Sequence, residues 1–360
     1  MVQMKISIVG YGRMGKTYER ALRKMGHNLT CVVDQDLELY SKEQLLQLAH
    51  LTDLWIISNP TELHLRTAQT IACIKSQGRI LIEKPLCSPG QYEDLIRFLN
   101  STSANVIMSD IYGRSGLIGR FRDYIGCAQI KKIAVEFSKN RTADETNGRF
   151  VDKDFGILGY EWFHMLSVIR EIMDAEAYEH YLGSHDSEFY SQASGCSSLS
   201  FPFAIECSRI GELEVSLCSS IRGDIFRERC WSDLIDRISP RARTVKNRGS
   251  KIPVGSDETV RYISIETTDG LKHILHYEPF YQSVDDYKNV HLMATLNCKG
   301  VEIRSEVIHC NQLQEFLKQI MNPHGDSHQI NRYLAMSQKL TRLRDRIQEP
   351  GKIRYVACKS

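Results

Sequence analysis

The chain opens on an apolar run that ends in three glycines, KISIVGYGRMG at residues 5–15, and no other stretch constrains the fold as strongly. The spacing of Gly10, Gly12 and Gly15 gives each glycine a mechanical task. The first allows a tight turn out of a strand, the second lets the backbone approach a pyrophosphate, and the third lets a helix pack closely on the strand. Residues 14–25, beginning at Met14, predict a helix whose N-terminus turns unsatisfied N–H groups and a partial positive charge toward phosphates. Loops collect glycine, so the turn alone says little. Here a strand precedes it, a helix follows, and a second apolar strand at 29–33 ends at Asp34, 19 residues past Gly15. A carboxylate there takes the adenosine ribose hydroxyls and repels a 2′-phosphate. The stretch therefore predicts a βαβ unit for NAD(H), with NADP(H) possible but disfavoured. Arg13 can reach a phosphate or stack on adenine; a solvated arginine at a helix start is the plainer reading.

The same rhythm continues. LWIIS at 54–58 and RILI at 79–82 read as buried parallel strands, each followed by a helical stretch, and NVIM at 105–108 reads as one more strand. In an open α/β sheet ligands bind beyond the carboxyl ends of the strands, so Asn59, Pro60 and His64 belong to the cofactor crevice. Glu83, Lys84 and Pro85 are delivered to the same edge. From about residue 130 strands cluster without helices between them, at 199–205, 213–220, 260–267, 272–277 and 291–296, which predicts a mostly antiparallel sheet. A helical segment at 159–173 interrupts it, and the chain ends in helices at 311–321 and 327–348. The expected organisation is α/β: a doubly wound parallel, Rossmann-type domain at 1–125, a substrate domain with a large antiparallel sheet at 126–310, and terminal helices at 311–360 packing back on the first domain.

Composition excludes several classes. The chain has 360 residues, 42% hydrophobic and 25% charged, with a formal net charge of +2. These are globular values with no global field for nucleic acid or anionic membranes. No long apolar run or leader pattern is visible, so the expectation is a soluble, cytoplasmic protein. Eleven cysteines, an odd number without a C-x-x-C pair, suit neither a disulfide framework nor a structural zinc site. His273 and His276 fall in one strand, but their spacing puts them on opposite faces, so no metal is expected. Residues 222–251 hold nine Lys or Arg against four Asp or Glu. That segment reads as a solvated loop or oligomer contact, with a site for a substrate phosphate as the alternative.

Two side chains carry the expected chemistry. Lys84, at a strand end between an acid and a proline, can hydrogen-bond a carbinol or carbonyl oxygen and stabilise the alkoxide that develops as hydride moves. His164 lies in GYEWFHML, and an imidazole is the side-chain type that suits a proton shuttle. Tyr160 is one helical turn earlier and shares its face. Without context, a strand-end lysine is a surface charge and a histidine on a half-apolar helix is a core residue. Glu83 either pairs with Lys84 or caps nearby backbone.

Context comes from GYGRMG, NPTELH at 59–64, LIEKPL at 81–86 and the segment 156–164. Together they resemble the glucose–fructose oxidoreductase and inositol dehydrogenase (Gfo/Idh/MocA) family, most specifically over residues 5–125. The resemblance implies a Rossmann domain followed by an α/β domain with a large sheet. It also implies NAD(P)-dependent oxidation or reduction of a sugar, nucleotide-linked sugar, aminosugar or cyclitol, and homodimers or homotetramers joined through that sheet. By the same resemblance the catalytic lysine falls on Lys84, the acid/base histidine on His164, and Pro60 and His64 on the segment lining the nicotinamide. One departure is Tyr160, where many relatives carry aspartate. A phenol can donate a hydrogen bond or a proton but cannot supply a carboxylate's charge. Reduction of a C=N bond, or a non-catalytic dinucleotide sensor or scaffold, stand as alternatives.

Overall fold

The computed structural model describes residues 4–34, 37–139, 155–185, 187–191, 203–220, 259–277, 289–322 and 330–348. The basic segment 222–251 and the first residues of the expected strand at 199–205 lie outside them. The chain packs as two compact units, residues 1–115 with 313–338, and residues 116–312 with 339–360.

The first unit is built on five parallel strands, β1 (Ile6–Val9), β2 (Leu29–Val33), β3 (Leu54–Ile57), β4 (Arg79–Ile82) and β5 (Asn105–Met108), in the order β2-β1-β3-β4-β5. Their crossovers carry helices α1 (Arg13–Lys24), α2 (Lys42–His50), α3 (Thr61–Ile74) and α4 (Tyr92–Ser101), and the short α5 (Ile111–Arg114) follows β5. Crossover helices cover both faces of such a sheet, which is why its strands are continuous apolar runs; Ile6, Ile8, Leu54, Trp55, Ile56 and Ile57 are fully buried. The order is that of a dinucleotide-binding sheet short of one outer strand, and its reversal falls between β1 and β3. Both strands end there in short turns, which opens the crevice between their carboxyl ends. Helix α9 (Gln312–Met321) buries Phe316, Leu317 and Ile320 against Ile6, Ile8, Leu22, Leu54 and Ile56. Each such side chain contributes about 1.5–3 kcal/mol by leaving water.

The second unit contains α6 (Gly116–Ile125), β6 (Ile130–Lys139), α7 (Ile157–Ile172), α8 (Ala175–Gly183), β7 (Ser187–Ser191), β8 (Phe203–Ile210), β9 (Leu213–Ser220), β10 (Thr259–Thr267), β11 (Lys272–His276), β12 (Val290–Leu296) and β13 (Glu302–His309). The eight strands form one sheet, β13-β12-β11-β10-β6-β9-β8-β7. Every pairing is antiparallel except β6 with β9. Helix α7 lies on β6, β8 and β9. The α/β class, with one parallel and one large, mostly antiparallel sheet, is the one expected.

The boundaries differ from the sequence reading in two places. The passage to the second unit comes at Ser115/Gly116 rather than at 125, because α6 buries Leu117, Ile118 and Phe121 and packs on α7. The terminal helices divide. In the helix α10 (Ile330–Gln348), Tyr333 donates its hydroxyl to Asp110 Oδ2 at 3.0 Å within the first unit. Further along α10, the buried Lys339 meets Glu206 at 2.8 Å within the second, and Tyr181 donates to the other Glu206 oxygen at 2.6 Å. No described helix is long and apolar enough to cross a membrane.

Candidate active site

In the first unit the chain leaves β1 through Gly10, which holds φ at +89°. A Cβ on Gly10 would stand 2.3 Å from the Asn59 nitrogen and 2.5 Å from its Cα, so the glycine turn sits directly on the backbone that follows β3. Ser58 Oγ donates to the Gly10 carbonyl at 2.7 Å and fixes that contact. A Cβ on Gly15 would lie 2.3 Å from the Gly10 carbonyl oxygen, so α1 closes on the turn from the other side. Gly12 is different. A Cβ there would meet nothing within 4 Å, and as the N-cap of α1 it brings no side chain to the helix end.

Around this uncapped end stand the other residues predicted from sequence. Arg13 is exposed, whereas Met14 packs its side chain on the core, so only its backbone is available at the helix start. Asp34, at the end of β2, is exposed and accepts the Tyr11 backbone N–H through Oδ1 at 2.7 Å. That bond draws the acid to the glycine turn. Asn59 donates from Nδ2 to Thr67 Oγ1 at 2.9 Å. Its Oδ1 is buried with no hydrogen-bond partner among the described residues. Pro60 is the exposed N-cap of α3.

His64 is 1% exposed, with Nδ1 2.7 Å from the Pro85 carbonyl oxygen and Nε2 2.9 Å from that of Asn59. Burial holds its pKa below the ordinary imidazole value, opposed by the two carbonyls and by Glu62. Lys84 is half-buried, and its peptide bond to Pro85 is cis. Glu83 is buried and accepts the Tyr18 hydroxyl through Oε1; that hydroxyl also lies 2.8 Å from Ser109 Oγ. Burial raises the Glu83 pKa, against the Tyr18, Ser109 and Lys84 groups that favour its anion. Its carboxylate is thus taken up by protein donors and ties the end of β4 to α1 and β5.

The sequence reading missed this tie and the neighbouring Asp110, which caps α5 through Gly113 N–H at 3.0 Å. Tyr18 lies three residues beyond Gly15 on the inward face of α1, and Ser109–Asp110 follows a buried strand as Glu83–Lys84 does. Those positions were the available signal.

The second unit holds Tyr160 and His164 on α7. All sixteen residues of that helix are buried except Tyr160 and Glu171, so the Tyr160 turn is where its N-terminal half approaches solvent. His164, 9% exposed, is one turn on. Beneath them Glu161 takes both arms of Arg261, at 3.0 Å and 3.2 Å, which locks α7 to β10. His273 and His276 are buried separately, His273 Nδ1 lying 3.0 Å from Thr295 Oγ1. Among the described residues no group of three His, Cys, Asp or Glu is arranged to hold a metal.

The first-unit crevice fits a dinucleotide on its own geometry. The space over Gly12 is open, the end of α1 is uncapped, and a carboxylate stands beside the turn. No protein-family model matches the chain, and no curated protein matches it. Solved structures do. UDP-N-acetylglucosamine 3-dehydrogenase from Acidithiobacillus ferrooxidans matches at 13% identity and TM-score 0.61, over 96% of this chain and 98% of that one. An oxidoreductase from Thermotoga maritima matches at 12% identity and TM-score 0.61, over 96% of each chain. A 3-ketoreductase from Actinomadura kijaniata, solved with NADP, matches at 10% identity and TM-score 0.59, over 95% of this chain and 96% of that one. The likeness is one of fold, and it runs through both units.

Proposed function

We propose that this protein is an NAD(P)-dependent oxidoreductase that moves a hydride between nicotinamide and a secondary alcohol or its ketone on a sugar-like substrate. The observation that carries the reading is the crevice at β1 and β3, where a glycine turn, an uncapped helix start and the Asp34 carboxylate come together. Fold neighbours that act on a UDP-linked aminosugar, or are solved with NADP, support it and favour a nucleotide-linked sugar as the substrate class.

In this reading the backbone N–H groups at the start of α1 hold the pyrophosphate and Asp34 takes the adenosine ribose. Asp34 also favours NAD(H) over NADP(H). The bound nicotinamide supplies the hydride chemistry. The role proposed for Lys84 is to stabilise negative charge on the reacting oxygen. The role proposed for His164 is to exchange the proton, and that for Tyr160 is to donate to substrate where the resembled family carries aspartate. The soluble enzyme would work in the cytoplasm as a homo-oligomer joined through the second-unit sheet.

Calorimetric titration with NADH and, separately, NADPH tests the reading, followed by a screen of UDP- and TDP-linked sugars for nicotinamide reduction. Micromolar NADH binding with weaker NADPH binding supports it. A folded protein that binds neither ends it. Binding without turnover of any sugar or imine would instead favour the sensor reading, which Tyr160 supports.

A further inference from the structure

The His64 ring stands between two carbonyl oxygens, and carbonyls only accept. A neutral imidazole carries one N–H, so it can satisfy one of these contacts; the imidazolium carries two and satisfies both. The two carbonyls belong to different parts of the crevice. Asn59 is the residue on which Gly10 is stacked, and Pro85 directly follows Lys84. A continuous path therefore runs from the glycine turn through the Asn59 backbone and the His64 ring to the Lys84–Pro85 peptide, within the first unit.

We propose that His64 is a positioning residue for Lys84: its neutral ring donates from Nδ1 to the Pro85 carbonyl, and a second proton on Nε2 ties the Asn59 turn to the Lys84–Pro85 peptide as well. This deepens the oxidoreductase reading and rests on it for the role of Lys84. The role is distinct from lining the nicotinamide, because both ring nitrogens are directed at backbone. The proton is assigned to Nδ1 because its contact is the shorter, 2.7 Å to Pro85 against 2.9 Å to Asn59. The ionisable group that acts on the ring is Glu62 on its own helix; at the end of β4, Glu83 and Lys84 precede Pro85 in the chain, and the end of β3 brings only Ser58 and Asn59. Burial favours the neutral ring, so the second tie forms on acidification.

The test uses the full chain without cofactor. Imidazole ¹⁵N spectra of the wild type are recorded from about pH 8 to about pH 5, together with hydrogen exchange of segments 57–62 and 83–88 corrected for intrinsic rates. The expected result is an Nδ1–H tautomer at the upper end. As His64 titrates, both segments should gain at least about fivefold protection, and His64→Gln should abolish that pH dependence. With cofactor and substrate, His64→Gln should lower kcat about tenfold or more while moving cofactor KM less than threefold. A neutral Nε2–H tautomer, or exchange in both segments that ignores the titration, overturns the proposal without any variant. A wild type that binds neither NADH nor NADPH would sink the oxidoreductase reading but leave the spectra and exchange to judge the clamp separately.

Discussion

Glu83 shows how one residue's role depends on what the fold brings to it. In sequence it stands beside Lys84 and reads equally as its ion-pair partner or as a backbone cap. Folding carries Tyr18 and Ser109 to its carboxyl group, and burial shifts its pKa upward against the hydrogen bonds they make. A carboxyl whose folded pKa is raised contributes stability that is complete below its ordinary 4.5 and is lost as pH rises through the folded value. Glutamine has the shape of the protonated acid and cannot ionise. Glu83→Gln should therefore match the wild-type melting temperature near pH 4 and exceed it near pH 8. Thermal melts at the two values decide the matter. An equal loss at both would mean the site wants the anion's hydrogen bonds more than it resents the charge.

At the level of the βαβ unit, three glycines that look alike in sequence divide into two kinds. Cβ atoms on Gly10 and Gly15 would run into backbone at 2.3 Å, and Gly10 also holds a left-handed φ. Gly12 faces open space. Gly10→Ala and Gly15→Ala should each cost about 2–4 kcal/mol of stability, from overpacking and, for Gly10, backbone strain. Gly12→Ala should leave stability within about 1 kcal/mol and instead weaken NADH binding tenfold or more, because the new methyl occupies the space a pyrophosphate would use. Denaturant titration and calorimetry on the three variants separate the classes. A Gly12→Ala protein that melts early but binds normally would remove the cradle interpretation. Other elements were harder to read. β13, EIRSEVIH, is an edge strand exposed along most of its length, so burial imposes no apolar pattern on it. α8 was missed although Asp174 caps it through Ala177 N–H at 2.8 Å, a sequence signal left unused.

At the scale of the whole molecule, buried histidines among the described residues predict a loss of stability in acid. Burial lowers the pKa of His64, His273 and His291, the last to about 4. A histidine with a depressed folded pKa leaves stability intact above its ordinary 6.5, and that stability is lost as pH falls through the folded value. His291 alone, fully buried with Nε2 2.9 Å from the Cys310 carbonyl oxygen, should account for a loss on the order of 3 kcal/mol between about pH 7 and about pH 4. Urea unfolding across that range should show the loss, and His291→Gln should flatten it. An unchanged slope in a folded variant would exclude His291 as its source.

What the sequence alone determined is the class of fold and the glycine turn that follows its first strand. Strands buried on both faces must be continuous apolar runs, and a glycine turn between strand and helix admits few structures. The two sheets and the positions of Lys84, His164 and Tyr160 on their elements were readable for that reason. What tertiary structure decided is which groups meet across long separations: Glu83 with Tyr18 and Ser109, His64 with the carbonyls of Asn59 and Pro85, Glu161 with Arg261, Lys339 with Glu206. Each is a buried polar contact whose energy depends on desolvation and on the presence of a partner. Neither quantity is carried by the local pattern of residues. The terminal helix divides between the units for the same reason: its apolar period marks a buried face but does not say against which core each turn is buried.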